Sequence, residues 1–301
     1  MKSVLQMFKI GKGPTTTQNM AAYRACKKIA QELKNDGTID NIEIRLYNEF
    51  ARLENQIQSS QDMLDAFTNW SKLPVKIVKN APTPPAARHP LTFDVLLLKG
   101  KDVVGRHRII STGCGNFFIT DQLESTAKSR YHFESFADMQ KYFKENKISY
   151  LDFCSKVQTR EEIVAHFDKC LNLMEKVITE SLKKEGQLPL TDKRIKFQRR
   201  AKHIFETKVP NENDDQEMIR KISAYAYAVG EEAASKTEVV ISPSCGTTGT
   251  VWGSLKWVID TYKPSKEKIY NAMCIAGLIA SLIDQNASIN ANEAGCQAEI
   301  S

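Results

Sequence analysis

The sequence contains 301 residues, of which 42% are hydrophobic and 26% are charged, an ordinary composition for a globular protein of two domains. Lysine and arginine outnumber aspartate and glutamate by 42 to 36, but this excess is spread along the chain and forms no basic patch typical of nucleic-acid-binding proteins. No apolar stretch is long enough to cross a membrane, and residues 1–8 lack the features of a secretory signal. We therefore expect a cytoplasmic protein that binds neither nucleic acid nor membranes.

The first part of the chain mixes the periodicities of helices and strands. The predicted elements, in chain order, are a helix over 18–35, a strand over 42–47, a helix over 59–68, a loop over 80–85 and a hairpin of strands 93–98 and 103–110. Such a mixture is typical of a small domain that contains both α and β structure.

From about residue 135 onward, apolar residues recur at helical spacing. The predicted helices are 135–145, 160–184, 217–234, 247–262 and 265–283. The predicted fold class is therefore α+β, with a small α/β domain over 1–135 and an all-helical domain over 136–301. The polar stretch 185–215 is predicted to cross the surface. Its basic run, 193–202, is interpreted as a connector or solvated helix face, with an acidic partner or nucleic acid as the alternative.

Seven cysteines occur at wide spacings, and no two of them form a Cys-x-x-Cys pair. The odd number and the spacings argue against a disulfide framework and against a self-contained zinc site. Most of these thiols are therefore expected to be buried apolar side chains.

Three short segments differ from their surroundings. The first, from Gly11 to Asn19, places two glycines and three threonines before a predicted helix. Hydroxyl groups in this position cap a helix or help to bind an anion, and the Lys-Ser/Thr pair of a P-loop is absent. The residues alone favour helix capping.

The second segment, Ile241 to Thr250, places small polar residues between an apolar pair and a helix. It is typical either of a capping loop or of a pocket for a small carboxylate, with the N–H groups at the helix start as the anion site.

The third segment, 286–300, presents a single thiol, Cys296, beside a glycine. Because one thiolate does not hold a cluster by itself, the residues alone favour a structural cysteine.

These three segments, in this order, resemble the bacterial iron–sulfur L-serine dehydratases, also called L-serine ammonia-lyases. The matching stretches are Met7 to Pro14, Ser111 to Ile119, Arg199-Arg200-Ala201, Glu231-Glu232, Ser242 to Gly249, and Asn286-Ala287-Ser288-Ile289 with Glu293-Ala294-Gly295-Cys296-Gln297. The last stretch is the most specific, and the resemblance is collinear over nearly the whole chain.

The resemblance implies a lyase of amino-acid degradation and gluconeogenesis that converts L-serine to pyruvate and ammonia. It further implies a 4Fe–4S cluster as Lewis acid, no pyridoxal phosphate, a regulatory-type first domain and a catalytic-type helical domain. Cys296 would be a cluster ligand. The residues implied for the substrate pocket are Ser242, Ser244, Gly246, Thr247, Thr248, Asn286 and Ser288.

The chain also departs from the family pattern. Gln18 stands where the family has a histidine, and since a glutamine cannot transfer a proton near neutral pH, the catalytic base is left unassigned. Cys245 stands where an asparagine is usual. The family's other two cluster cysteines would lie beyond position 301, which implies a helical domain truncated at its C-terminus.

We therefore expect a homodimer or a partner chain that carries the missing cysteines. The alternatives are an inactive or split-gene fragment and a related lyase for another hydroxy- or thio-amino acid.

Overall fold

The computed structural model describes residues 1–33, 37–120, 132–190, 194–288 and 293–300. Positions 34–35, 191–193 and 289–292, which fall in predicted segments, lie outside these ranges. The chain divides into a unit of residues 11–125 with 191–194 and a unit of residues 1–10, 126–190 and 195–301. This division places the first ten residues with the helical unit, whereas the sequence assigned them to the α/β domain.

In chain order, the elements are α1 (Val4–Met7), β1 (Lys9–Lys12), a π-helical turn (Thr16–Met20), α2 (Ala21–Glu32), β2 (Asn41–Leu46), α3 (Asn48–Ile57), α4 (Ser59–Trp70), β3 (Val75–Val78), β4 (Thr92–Lys99), β5 (Asp102–Gly113), β6 (Asn116–Ile119), α5 (Phe136–Asn146), α6 (Tyr150–Cys154), α7 (Arg160–Ser181), α8 (Ala201–Glu206), α9 (Asp214–Ala234), β7 (Glu238–Ile241), α10 (Cys245–Tyr262), α11 (Lys266–Asn286) and α12 (Gln297–Ile300). The predicted α+β class is confirmed.

The α/β unit is built on a five-stranded sheet with the order β3-β2-β4-β5-β6. β2 and β3 run parallel, and the other neighbours are antiparallel. The predicted hairpin is confirmed as β4 and β5. In β2, Ile42, Ile44 and Leu46 alternate into the core, where they join the buried face of α2, as the period of two in a strand requires.

The threonine-rich turn before α2 confirms the capping interpretation. The Oγ1 atom of Thr15 accepts hydrogen bonds from the N–H groups of Gln18 and Asn19, each at 3.2 Å. The Nδ2 atom of Asn19 donates to Asp62 Oδ2 at 2.6 Å. Gln18 is buried within this turn. The turn therefore satisfies N–H groups that a helix start leaves without intrahelical partners.

The helical unit contains all five helices predicted for the second half, namely α5, α7, α9, α10 and α11. β7 connects α9 to α10 and, with β1, forms a two-stranded sheet. Behind β7, Phe8 contacts Phe167 and Trp252 edge to face, and Trp252 Nε1 donates to the Val240 carbonyl at 2.8 Å. These contacts fix the chain where it enters α10.

Two glycines of α10 allow it to pack directly on the backbone of α9. A β-carbon at Gly249 would lie 2.6 Å from the carbonyl oxygen of Ala226, and one at Gly253 would lie 2.8 Å from the Ala226 nitrogen. Any larger residue at either position would push the two helices apart. The position of the first turn of α10 is therefore set by this close contact.

Among the described residues, no helix combines the length and the apolar character needed to cross a bilayer.

Candidate functional site

The loop from β7 into α10 carries the predicted pocket residues. Val239, Val240 and Ile241 are fully buried, so the chain reaches Ser242 from inside the helical unit. Ser244 is the N-cap residue of α10, yet its hydroxyl does not cap the helix. The hydroxyl donates instead to Glu299 Oε2 at 2.7 Å. An N-cap hydroxyl that turns away from its own helix marks this loop as more than a capping structure.

Cys296 lies directly on Gly246. A β-carbon built at Gly246 would be 2.5 Å from Cys296 Cβ and 2.6 Å from Cys296 Sγ. Only a residue without a side chain permits this approach, because such distances are shorter than any van der Waals contact. The structure thus brings together two segments that the sequence singled out separately.

Glu299, one helical turn after Cys296, reaches the same loop. Its Oε2 atom accepts hydrogen bonds from the hydroxyls of Ser244 and Thr247. Burial raises the pKa of Glu299 above its ordinary value, and the hydrogen bonds from Thr247 and Ser244 only partly oppose this. A negative charge at a helix start is favoured by the unpaired N–H groups and the helix dipole. Sequence reasoning missed Glu299, although it lies within the third segment.

Two polar atoms of this site have no hydrogen-bond partner among the described residues. They are Glu299 Oε1 and Ser242 Oγ, and both are buried. The Ser242 carbonyl, by contrast, accepts a bond from Thr247 Oγ1 at 3.1 Å, and Thr248 Oγ1 donates to the Ser244 carbonyl at 2.6 Å. Since buried polar groups are almost always paired in folded proteins, two unpaired ones in the loop and in the residue that contacts it point to a ligand.

The other two predicted pocket residues lie at the end of α11. Asn286 is its last helical residue, is exposed, and donates its side-chain amide to the Leu282 carbonyl at 2.9 Å. Ser288 follows and is half-buried. Their assignment to the substrate pocket stays a prediction.

A second cluster of charges in the helical unit surrounds Glu231 and Glu232 of α9. Glu232 accepts from Arg199 at 2.7 Å, from Lys184 at 2.8 Å and from Thr237 at 2.8 Å. Burial alone would raise the pKa of Glu232, but these hydrogen bonds outweigh it and lower the pKa. The cluster fastens the stretch around Arg199 to α9. Arg199 is therefore engaged within its own chain, which fits the connector interpretation of the basic run.

The cysteines follow the expectation for a chain without disulfides. In the described part of the chain none of the seven forms a disulfide bond, and the buried ones are Cys26, Cys114, Cys154, Cys170 and Cys274. Burial raises the pKa of the Cys170 thiol to about 12, so at neutral pH it is a protonated, unreactive group. Only Cys245 and Cys296 are half-buried.

The described residues do not offer a complete ligand set for an iron–sulfur cluster. No three His, Cys, Asp or Glu side chains of the described ranges lie close enough together to hold a metal ion. A cluster with three protein thiolates needs two more beside Cys296.

A cavity of about 480 Å³ lies in the α/β unit, beside β2 and β3. Its charged lining residues are Glu43, Lys76 and Lys101, and Lys76 is already paired with Glu43 at 3.0 Å. None of the predicted site residues lines this cavity, so it is separate from the loop that carries Ser242 and Ser244.

Comparison with known proteins gives a consistent result. A sequence model of the family described as "Serine dehydratase alpha chain" matches residues 23–301. L-serine dehydratase TdcG of Escherichia coli is 25% identical, with 100% of this chain and 76% of that protein covered. The L-serine dehydratase of Haemophilus influenzae is 28% identical over 62% of this chain and 43% of that protein.

A probable L-serine dehydratase alpha chain of Bacillus subtilis is also 28% identical, over 48% of this chain and 46% of that protein. The family match extends through the β7–α10 loop, Cys296 and Glu299. The chain therefore belongs to the serine dehydratase alpha-chain family.

Proposed function

We propose that this chain carries the substrate site of an L-serine dehydratase, a lyase that converts L-serine to pyruvate and ammonia. The observation that carries the proposal is the close contact of Cys296 with Gly246 at the start of α10. In the loop that precedes Gly246, the buried Ser242 hydroxyl has no hydrogen-bond partner among the described residues. Membership of the family and the relatives named L-serine dehydratase support the same reaction.

The reaction removes the α-proton and the β-hydroxyl of L-serine as water. The aminoacrylate that remains takes up water and releases ammonia, leaving pyruvate. At the start of α10, the substrate carboxylate would face N–H groups that have no intrahelical partner, and the helix dipole favours its charge. Ser242 Oγ is placed in the same loop to donate a further hydrogen bond. We assign no residue as the base, since Gln18 cannot accept a proton near neutral pH.

For the family's iron–sulfur cluster, Cys296 is the one residue of this chain that we propose as a ligand. We propose that Cys296 is one thiolate ligand and that a partner chain supplies the others, because the described residues form no three-ligand group. The name of the Bacillus subtilis relative, an alpha chain, supports a protein of more than one chain. Cys245 and Cys296 are the two half-buried thiols and therefore the two candidate ligands. We assign the ligand to Cys296, because its side chain packs against Gly246 in the loop that carries the predicted pocket residues.

The substrate site is tested by titrating the purified chain with L-serine in a calorimeter. Replacing Thr247 by valine removes a hydroxyl that orders the loop, and we expect it to weaken L-serine binding about tenfold. Thr250→Val is the matched control, because Thr250 is exposed on the same helix, and it should leave the affinity unchanged. Absence of L-serine binding to the unmodified chain would contradict the proposal.

The cluster ligand is tested by anaerobic reconstitution with iron and sulfide in excess 2-mercaptoethanol, whose thiolates replace those of the partner. The unmodified chain and Cys245→Ala should retain iron and sulfide after gel filtration, whereas Cys296→Ala should not. Without the added thiol, we expect no stable cluster and no pyruvate from L-serine. A stable cluster and pyruvate release by the chain alone would refute the need for a partner.

A further inference from the structure

Glu299 is held by one carboxylate oxygen only. Oε2 accepts from the hydroxyls of Ser244 and Thr247, while Oε1 is buried and has no hydrogen-bond partner among the described residues. The carboxylate is thus fixed in orientation by neutral donors. Its second oxygen is presented within the site as an acceptor, which is unusual because buried acceptors are normally satisfied.

Among the described residues, no lysine or arginine forms an ion pair with this carboxylate, and Lys2 is paired with Asp284 at 2.5 Å. The loop 241–250 and the segment 293–300 contain neither lysine nor arginine. The charged neighbour that acts on Glu299 is Asp284, which repels it. An ionised carboxylate accepts hydrogen bonds but cannot donate them. A hydrogen-bond donor therefore completes the site, and a positively charged donor would also compensate the carboxylate.

A small amino acid carries such a group next to its carboxylate. We propose that Glu299 recognises the α-ammonium group of the substrate through Oε1 and so restricts the site to amino acids. The inference rests on the proposed function, since it deepens the description of the same site. The start of α10 takes the substrate carboxylate and Glu299 takes the ammonium, so the two charged ends of a zwitterion meet complementary groups.

The experiment compares L-serine with L-glycerate, in which a hydroxyl replaces the ammonium group while the carboxylate, the β-hydroxyl and the configuration are kept. Affinities of the full chain are measured by calorimetry at neutral pH. The unmodified chain should bind L-serine at least about tenfold more tightly than L-glycerate, because a hydrogen-bonded charge pair is lost with the hydroxy acid. This first measurement needs no variant.

Glu299→Gln keeps the shape of the side chain and removes its charge. It should weaken L-serine binding by about tenfold or more and leave the affinity for L-glycerate within about twofold of its starting value. Glu293→Gln is the control, since Glu293 is an exposed carboxylate of the same segment, and it should change neither affinity.

The outcomes separate this inference from the function on which it rests. Equal affinity of the unmodified chain for both ligands overturns the role of Glu299 but leaves L-serine binding in place. Equal weakening of both ligands in Glu299→Gln also overturns it, because Glu299 would then only hold the loop. If neither ligand binds the unmodified chain, both the proposed function and this inference fail.

Discussion

Two acidic residues of the helical unit, the buried Glu232 and the half-buried Glu299, differ in the hydrogen-bond and ion-pair partners of their carboxylates. Each oxygen of Glu232 has a charged partner, Arg199 on Oε1 and Lys184 on Oε2. Glu299 is bound by neutral donors on one oxygen, and its other oxygen has no partner among the described residues. A saturated carboxylate has nothing left to bind, whereas a half-saturated one keeps an acceptor for a ligand.

The neighbour of Glu232 completes its cluster. Glu231 Oε1 accepts from the backbone N–H groups of Arg200 and Ala201 at 2.5 and 3.1 Å, which are the first N–H groups of α8. Glu231 Oε2, like Glu299 Oε1, has no hydrogen-bond partner among the described residues, but it lies 3.6 Å from the Arg199 guanidinium, which compensates its charge. The comparison predicts that changes in the Glu232 cluster affect folding, while changes around Glu299 affect binding.

The largest effect is expected from Arg199→Met. This change leaves Glu231 and Glu232 buried with less compensating charge, and removing one partner of a buried ion pair costs about 3 kcal/mol. The free energy of unfolding, measured with urea, should fall by about that amount. Lys202→Met is the control, because it removes only the exposed ion pair with Glu185. A loss as small as that of the control would show that the cluster does not hold the fold together.

A matched pair of serines gives the next largest effect and tests the comparison directly. Ser235 Oγ accepts from Arg199 at 3.0 Å and donates to the Glu231 carbonyl at 2.7 Å. Ser242 Oγ is buried without a partner among the described residues. Ser235→Ala should lower the free energy of unfolding by about 1 kcal/mol, whereas Ser242→Ala should leave it unchanged or raise it by up to about 1 kcal/mol.

The same pair should behave in the opposite way in a ligand titration. Ser242→Ala is expected to weaken L-serine binding by about tenfold if its hydroxyl bonds the charged carboxylate, and Ser235→Ala should leave the affinity unchanged. If both variants lose stability and neither loses affinity, the unpaired hydroxyl at Ser242 has no role in binding.

Much of the fold was predictable because the signals that define it are local. The long helices of the second half have sustained apolar periodicity, and the Thr15 cap and the β4–β5 hairpin depend on residues close in sequence. Strand β3 was missed, since it has only four residues and a short edge strand is defined by pairing with its neighbour rather than by its own pattern.

The site was predictable only in part. The loop around Ser244 and the thiol at Cys296 were identified through composition and family resemblance, but their contact through Gly246 is a property of the folded chain. Glu299 was missed because a glutamate near the end of a segment has no distinguishing spacing. Its role depends on the burial of Oε1 and on the lack of an ion-pair partner among the described residues, and neither can be read from periodicity.

The smallest expected effect is a difference in the acid sensitivity of the fold. Because the pKa of Glu232 is lowered in the folded chain, the unfolded chain binds more protons in the window just below the ordinary glutamate value of about 4.3. The contribution of Glu232 to stability is therefore complete above that value and is lost as the pH falls through the lowered pKa. Unfolding with urea between about pH 6 and pH 3 should show a steeper loss of stability in the unmodified chain than in Glu232→Gln. Equal slopes would mean that the Arg199 and Lys184 pairs do not favour the ionised form, and the contrast between Glu232 and Glu299 would lose its electrostatic basis.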